Sequence, residues 1–295
     1  MLGYPPRPPE MKPPLFDYRS PSSLDEALTL RSEYSDDSAV LAGGQSLMPM
    51  LNLRLARPEV LIDLGRVAEL AGIRELDGGV SLGAMTRQRS AERSDLIRAR
   101  APLVQQALAH VGHPTIRNRG TVGGSLAHAD PAAELPAVCL ALDAEFVARS
   151  AGGERKIAAD DFYMGFMTTA LAPDELLVEV RIPAAAGTLG TAFVEIARRH
   201  GDFALVGVAA ALALDGESVI TDARLALTGV AGLPVRAREA EASLRGASAG
   251  AAAFAAAADL VAAELQPRTD AHATGDYRRR VAGVLARRAL EEAMP

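Results

Sequence analysis

Cysteine occurs once, at Cys139, and tryptophan not at all. A single thiol forms no internal disulfide and supplies no thiolate set for zinc or an iron–sulfur cluster. Any redox chemistry in which the chain takes part must use a cofactor held by other groups. Long apolar runs are also missing. The nearest approach, "FALVGVAAALALDG", is cut off by Asp215 and Gly216, short of the roughly 18 residues a membrane span needs. Neither sign of charge dominates: 31 basic and 37 acidic residues give a formal net charge of −6. That balance is unsuited to gripping a polyanion, and the densest basic clusters, "ARRHGD" and "YRRR", are too short for a nucleic-acid track. The N-terminal "MLGYPPRPPEMKPPLFDYRS" lacks the basic-then-apolar order of a secretory signal. Its prolines predict an extended tail over residues 1–14. The expectation is a cytoplasmic protein with no membrane span and no nucleic-acid partner.

What is present is apolar substance. Of 295 residues 49% are hydrophobic, enough for the cores of two domains. "SSLDEALTLRSEY" predicts a helix capped by Ser22 or Ser23, with Glu26 at the capping-box position if Ser23 is the cap. "SAVLAGG" and "VLIDLG" read as short strands. "GIREL-DGG-VSLGA" reads as a hairpin turning at Asp77-Gly78-Gly79. Helices follow near 86–93 and 101–112, the latter with Pro102 in its first turn. "DPAAELPAVCLALDA" predicts a helix capped by Asp130 with Pro131 at its first position. "AEFVARS" and "ERKIAA" form a second hairpin. "ELLVEVRIP" alternates as a strand and ends at a proline. After the small-residue connector "AAAGTLG" come three strands, "TAFVEIARR", "FALVGVAAALAL" and "VITDARLALTGV". Three helices near 236–246, 250–264 and 276–292 complete the chain. That order predicts an α+β domain, a sheet with helices on one face.

Two segments share a device. "AGGQS" (42–46) and "TVGGS" (121–125) each place a glycine pair and a serine before an apparent helix start. Glycine lets a ligand approach the backbone without meeting a Cβ, and unpaired amides at a helix start receive anions, phosphate above all. Neither segment carries the lysine of G-x-x-x-x-G-K-[ST], and the first lacks G-x-G-x-x-G. A nucleotide-hydrolysing P-loop and a Rossmann nicotinamide site are therefore disfavoured. Two such segments suit a diphosphate clasped from two sides.

At these residues the sequence resembles the FAD-binding medium subunit of molybdenum hydroxylases, the group that includes carbon monoxide dehydrogenase and bacterial xanthine dehydrogenase-like enzymes. The resemblance is carried by "LAGGQSLMPMLNLRLARPEVLIDL" and "GHPTIRNRGTVGGSLAHADPAAELP". It continues through "IAADDFYMGFMTTALAPDELLVEVRIP", "RRHGDFALVGVAA" and "HATGDYRRRVAGVLARRAL", covering roughly residues 15–292. It implies an α+β chain with a two-part FAD-binding fold of the vanillyl-alcohol-oxidase type over 15–183, its subdomains dividing near 65–70. A C-terminal α+β domain with a three-stranded antiparallel sheet would follow over 190–292. It further implies that Ala42, Gly43, Gly44, Gln45 and Ser46 wrap the FAD diphosphate from one side, and Thr121, Gly123, Gly124 and Ser125 from the other. Glu134 would reach a ribose or ribityl hydroxyl, Leu177 would lie near the adenine, and Phe193 near the isoalloxazine. Such a subunit relays electrons from a 2Fe–2S small subunit, fed by a molybdenum-cofactor large subunit, to a small-molecule or protein acceptor, in a dimer of heterotrimers. The alternatives are a self-contained flavin oxidase of the same fold and a flavin-free scaffold. No substrate domain and no well-placed histidine or cysteine for a covalent flavin bond support the first, and the intact glycines oppose the second.

Other residues carry weaker signals. His110 and His113 straddle a helix end without sharing a face, so no metal site is expected. His128 is a candidate for the flavin pocket. Arg198 and Arg199, in "RRHGDF", read as a charged hairpin turn or as cations near the flavin or its acceptor. Tyr163 and Phe166 are read as core rather than interface, and Cys139 as a small buried hydrophobe.

Overall fold

The computed structural model describes residues 12–185, 187 and 189–294, so residues 1–11 of the expected tail lie outside the described residues. The first unit is a small parallel sheet. β1 (Asp17–Arg19) leads into helix α1 (Leu24–Tyr34), then β2 (Ser38–Leu41), α2 (Leu47–Asn52) and β3 (Val60–Asp63), in strand order β1-β3-β2. Ser23 caps α1 by accepting the Glu26 N–H, while the Glu26 carboxylate reaches one residue further back, to the Ser22 N–H.

The second unit is built on a five-stranded antiparallel sheet. β4 (Ile73–Leu76) and β5 (Gly79–Gly83) are joined through Asp77 (φ 47°) and Gly78 (φ 78°), the left-handed pair that a two-residue hairpin turn requires. Six helices intervene: α3 (Gln88–Glu92), α4 (Asp95–Arg100), α5 (Pro102–Leu108), α6 (Pro114–Arg119), α7 (Val122–His128) and α8 (Glu134–Ala141). Then come β6 (Glu145–Ser150), β7 (Gly153–Ala158), α9 (Ala159–Phe162), the small β8–β9 hairpin (Tyr163–Gly165, Thr168–Thr169) and β10 (Leu176–Ile182), giving sheet order β4-β5-β10-β6-β7. The clean alternation expected of β10 is broken by a bulge between Leu177 and Glu179. The inserted residue changes the phase, so Leu177, Val180 and Ile182 all face the helices, whereas Leu176 and Val178 face α1 and the small sheet.

The third unit is an antiparallel sheet of β11 (Gly190–Ala197), β12 (Ala204–Leu214), β13 (Ile220–Thr228) and β14 (Val235–Arg236), followed by α10 (Arg238–Leu244), α11 (Ala251–Glu264) and α12 (Gly275–Glu292). It has four strands where three were expected, because β14 is only two residues long and has no pattern of its own. Nor is it covered on one face only. Val206, Val208, Ala210 and Leu212 pack on α10–α12, while Phe193, Ala209 and Ala226 join the core of the second unit beside α5 and α8. Burial on both faces accounts for the near-continuous apolar sequence of β12. Charges bracket the same interface: Asp143 pairs with Arg224 and Arg236, and Asp160 with Arg238. The architecture is α+β, a two-part N-terminal region followed by an antiparallel sheet with helices. Among the described residues no helix is long and apolar enough to cross a membrane.

Candidate functional site

A cleft of about 740 Å³ opens where the three units meet. Its walls come from β2 and the loop into α2, from the start of α7 and of α8, from Leu176 and Leu177 of β10, and from the 201–203 loop of the third unit. Eleven of the twelve residues implied by the resemblance line it: Ala42, Gly43, Gly44, Gln45, Ser46, Thr121, Gly123, Gly124, Ser125, Glu134 and Leu177.

The two glycine segments touch. A Cβ placed on Gly43 would lie 2.5 Å from the Arg119 carbonyl oxygen and 2.7 Å from Gly120 Cα. One on Gly124 would lie 3.2 Å from the Ala42 Cβ, and one on Gly123 would lie 2.7 Å from Ala84 Cα. Gly44 adopts φ +72°. Missing side chains let two loops about eighty residues apart in sequence share one wall. The second pair, however, does not precede its helix. Gly123 and Gly124 lie in the first turn of α7, with the Thr121 hydroxyl capping by accepting the Gly124 N–H at 3.0 Å. Ser46 does not cap α2, so its role there is to line the cleft.

Asp130 is displaced from its expected role. α8 begins at Glu134 with Ala133 in the cap position, and the Asp130 carboxylate instead accepts the Ala132 N–H at 2.8 Å. The intervening segment is fixed from the third unit. The buried Thr228 hydroxyl lies 2.7 Å from the Pro131 carbonyl oxygen and 2.8 Å from that of Ala133, and the Gly229 N–H donates to Pro131 at 2.8 Å. Replacing Thr228 by the isosteric valine removes this donor and is expected to lower stability by about 1–2 kcal/mol. Denaturant unfolding measures it, and an unchanged midpoint would show that the clamp is energetically idle.

That clamp presents Glu134, whose helix is buried along its whole length. Burial first, and then the charges of Glu195 and Asp130, push the Glu134 carboxyl up to about 8. At neutral pH it is largely a neutral acid, able to donate a hydrogen bond, rather than an anion that repels phosphate.

Phe193 is the one expected residue outside the cleft. Pairing of Phe193 with Ala209 turns its ring away from the opening and onto His110, with ring centroids 5.4 Å apart. The aromatic ring on the cleft wall is Phe203, 59% exposed. Arg198 and Arg199 do not line the cleft either, and Arg198 turns toward His272 at 3.4 Å. His128 does line it. Tyr163 and Cys139 are buried, but Phe166 is 66% exposed on the β8–β9 turn, contrary to the core expectation. No group of three or more metal-ligating side chains occurs among the described residues.

One wall residue had no sequence signal. Arg31, on α1, donates from Nη1 to the carbonyl oxygens of Ser35 and Ser38 and to the Ser38 hydroxyl, while its buried Nε has no partner. The cleft therefore offers glycine backbone, hydroxyls, a partly buried cation and a neutral carboxylic acid, a donor set that fits a dinucleotide diphosphate.

Comparison with known proteins agrees with this geometry. Residues 14–185 match the model for the FAD binding domain in molybdopterin dehydrogenase, and residues 191–293 that for the CO dehydrogenase flavoprotein C-terminal domain. The chain is 42% identical to the 6-hydroxypseudooxynicotine dehydrogenase complex subunit alpha of Paenarthrobacter nicotinovorans over 96% of both chains. It superposes on a chain of carbon monoxide dehydrogenase from Hydrogenophaga pseudoflava with TM-score 0.92 and 40% identity, covering 95% of this chain and 98% of that one. For quinoline 2-oxidoreductase from Pseudomonas putida 86 the TM-score is 0.91 at 39% identity, with 96% and 98% covered.

Proposed function

Since the chain belongs to the family of FAD-binding subunits of molybdenum hydroxylases, we propose that it is the flavin-bearing relay of a multi-subunit dehydrogenase. In this role it accepts electrons from the 2Fe–2S clusters of a small subunit and passes them to an external acceptor. Substrate oxidation then takes place at the molybdenum cofactor of a large subunit, in a dimer of heterotrimers in the cytoplasm. A subunit that carries no substrate chemistry is consistent with relatives named for substrates as different as a nicotine derivative, carbon monoxide and quinoline.

The observation that carries this reading is the contact between the two glycine segments in one cleft. Gly43, Gly44, Gln45 and Ser46 on one side, and Thr121, Gly123, Gly124 and Ser125 on the other, would hold the diphosphate by backbone amides and hydroxyls. Arg31 adds positive charge to the same wall. Glu134 would donate to a sugar or ribityl oxygen, and Leu177 would pack at the adenine end. The isoalloxazine, when bound, supplies the ability to take electrons singly and release them in pairs. The chain's own task is to fix the position of that ring and to set the electrostatics around it. Because Phe193 lies outside the cleft and Phe203 lines it, Phe203 would be the aromatic group that covers the ring.

The purified chain is expected to be yellow, with about one FAD per chain and no molybdenum or iron. Its flavin should be bleached by a candidate substrate only when the partner chains are present. A colourless chain that does not take up added FAD would refute the flavin site. Bleaching by substrate without partners would favour the self-contained oxidase.

A further inference from the structure

Behind the cleft lies a group of titratable side chains that diphosphate binding does not use. Glu134 reaches the cleft from α8, buried to 4% exposure. Glu195 stands on β11 with its side chain 6% exposed, and its Oε2 is buried without a hydrogen-bond partner. Its Oε1 lies 3.4 Å from Nδ1 of His110, whose side chain is 35% exposed and so reaches solvent. Side chains from two units thus cluster between solvent, at His110, and the cofactor cleft, at Glu134. A buried carboxylate oxygen with no partner is costly, and protonation of the carboxyl relieves that cost.

We propose that Glu195, Glu134 and His110 form a proton-uptake site coupled to electron arrival in the cleft. The proposal rests on the flavin-relay reading above. One electron enters the cleft from a one-electron reductant, an iron–sulfur partner in the complex or a chemical mediator in the assay. One proton then passes from bulk water by way of His110 onto the Glu195 carboxylate, whose Oε1 faces the imidazole. No carbon bond is made or broken, and the net charge of the region is unchanged. The added negative charge acts through a low-dielectric wall, where Coulomb terms are several times larger than in water.

The surrounding charges do not quench the site. Those acting on Glu134 are Glu195, Asp130 and Arg117. Arg117 is already committed, with Nε and Nη2 on the Glu92 carboxylate and Nη1 on the carbonyl oxygens of Val111 and Gly112. Glu195 faces Glu134 and His110. Glu134 is held largely protonated near neutrality by burial and by its acidic neighbours, and the buried, unpartnered Oε2 marks Glu195 as the acceptor.

The test is a mediator titration of the flavin midpoint potential between pH 6 and 9, on FAD-loaded wild type and Glu195→Gln. The wild-type potential is expected to fall more steeply with pH, because it takes up an extra proton that the variant does not. Should Glu195→Gln fold poorly, a measurement on wild type alone replaces the comparison. Reduced-minus-oxidised infrared spectra provide an independent readout: a protonated-carboxyl band should grow on reduction in wild type and be lost in Glu195→Gln. Equal slopes, with no carboxyl band, in proteins that carry flavin overturn the proton site alone. A chain that binds no FAD overturns the relay function itself, and the proton site with it.

Discussion

Gly43→Ala is expected to yield a folded but colourless protein. The added methyl carbon would sit 2.5 Å from the Arg119 carbonyl oxygen and 2.7 Å from Gly120 Cα, both backbone atoms of the opposing segment. No rotamer change relieves contacts with main chain, so the two loops must part. Separation by about an ångström removes the amides of one loop from the diphosphate. Hydrogen bonds to a charged group contribute about 1.5–3 kcal/mol each, so losing two weakens FAD binding on the order of 100-fold or more. Equilibrium dialysis or flavin fluorescence quenching gives the ratio directly. Gly216→Ala is the control, because a Cβ there has nothing within 4 Å. Wild-type affinity in Gly43→Ala would mean that the loops do not act together.

The second large effect concerns pH. Glu134 titrates at about 8 in the folded chain against an ordinary value of 4.5. Between these values the native state holds a proton that the unfolded chain has lost. Stability from this group is therefore complete below about pH 4.5 and declines as pH rises to about 8, beyond which the loss is constant. A shift of this size corresponds to roughly 5 kcal/mol at alkaline pH. Glu134→Gln keeps the shape and cannot ionise. The flavin-free variant should match wild type near pH 4.5 and exceed it by a few kcal/mol at pH 9, as measured by denaturant unfolding across the range. Parallel profiles for the two proteins would show that Glu134 is ionised at neutrality.

The site was readable in sequence where it depends on what a residue lacks. Gly43, Gly44, Gly123 and Gly124 announce a close approach because the absent Cβ is encoded locally, whatever the loops later meet. Glu134 was placed by resemblance, and its neutral state was hidden because that arises from burial of all of α8 and from Glu195 on a distant strand. Phe193, expected near the flavin, lies outside the cleft because the face a strand residue occupies depends on sheet register, here Phe193 against Ala209. Arg31 left no trace because α1 meets the cleft only through tertiary packing. Asp130 looked like a helix cap because Asp-Pro is a common opening. Its carboxylate instead closes a short turn, and the helix starts later under the hold of Thr228. The same limit explains β14 and the bulge in β10, both set by neighbours rather than by periodicity.

The core of the second unit runs without a break into the sheet of the third, through Phe193, Ala209 and Ala226, and Thr228 and Gly229 tether the segment that bears Glu134. A tailpiece rooted so deeply is no detachable module. Lineages that trade one half for a foreign counterpart would have to re-tailor the seam along α5 and α8, so the two halves are expected to descend together.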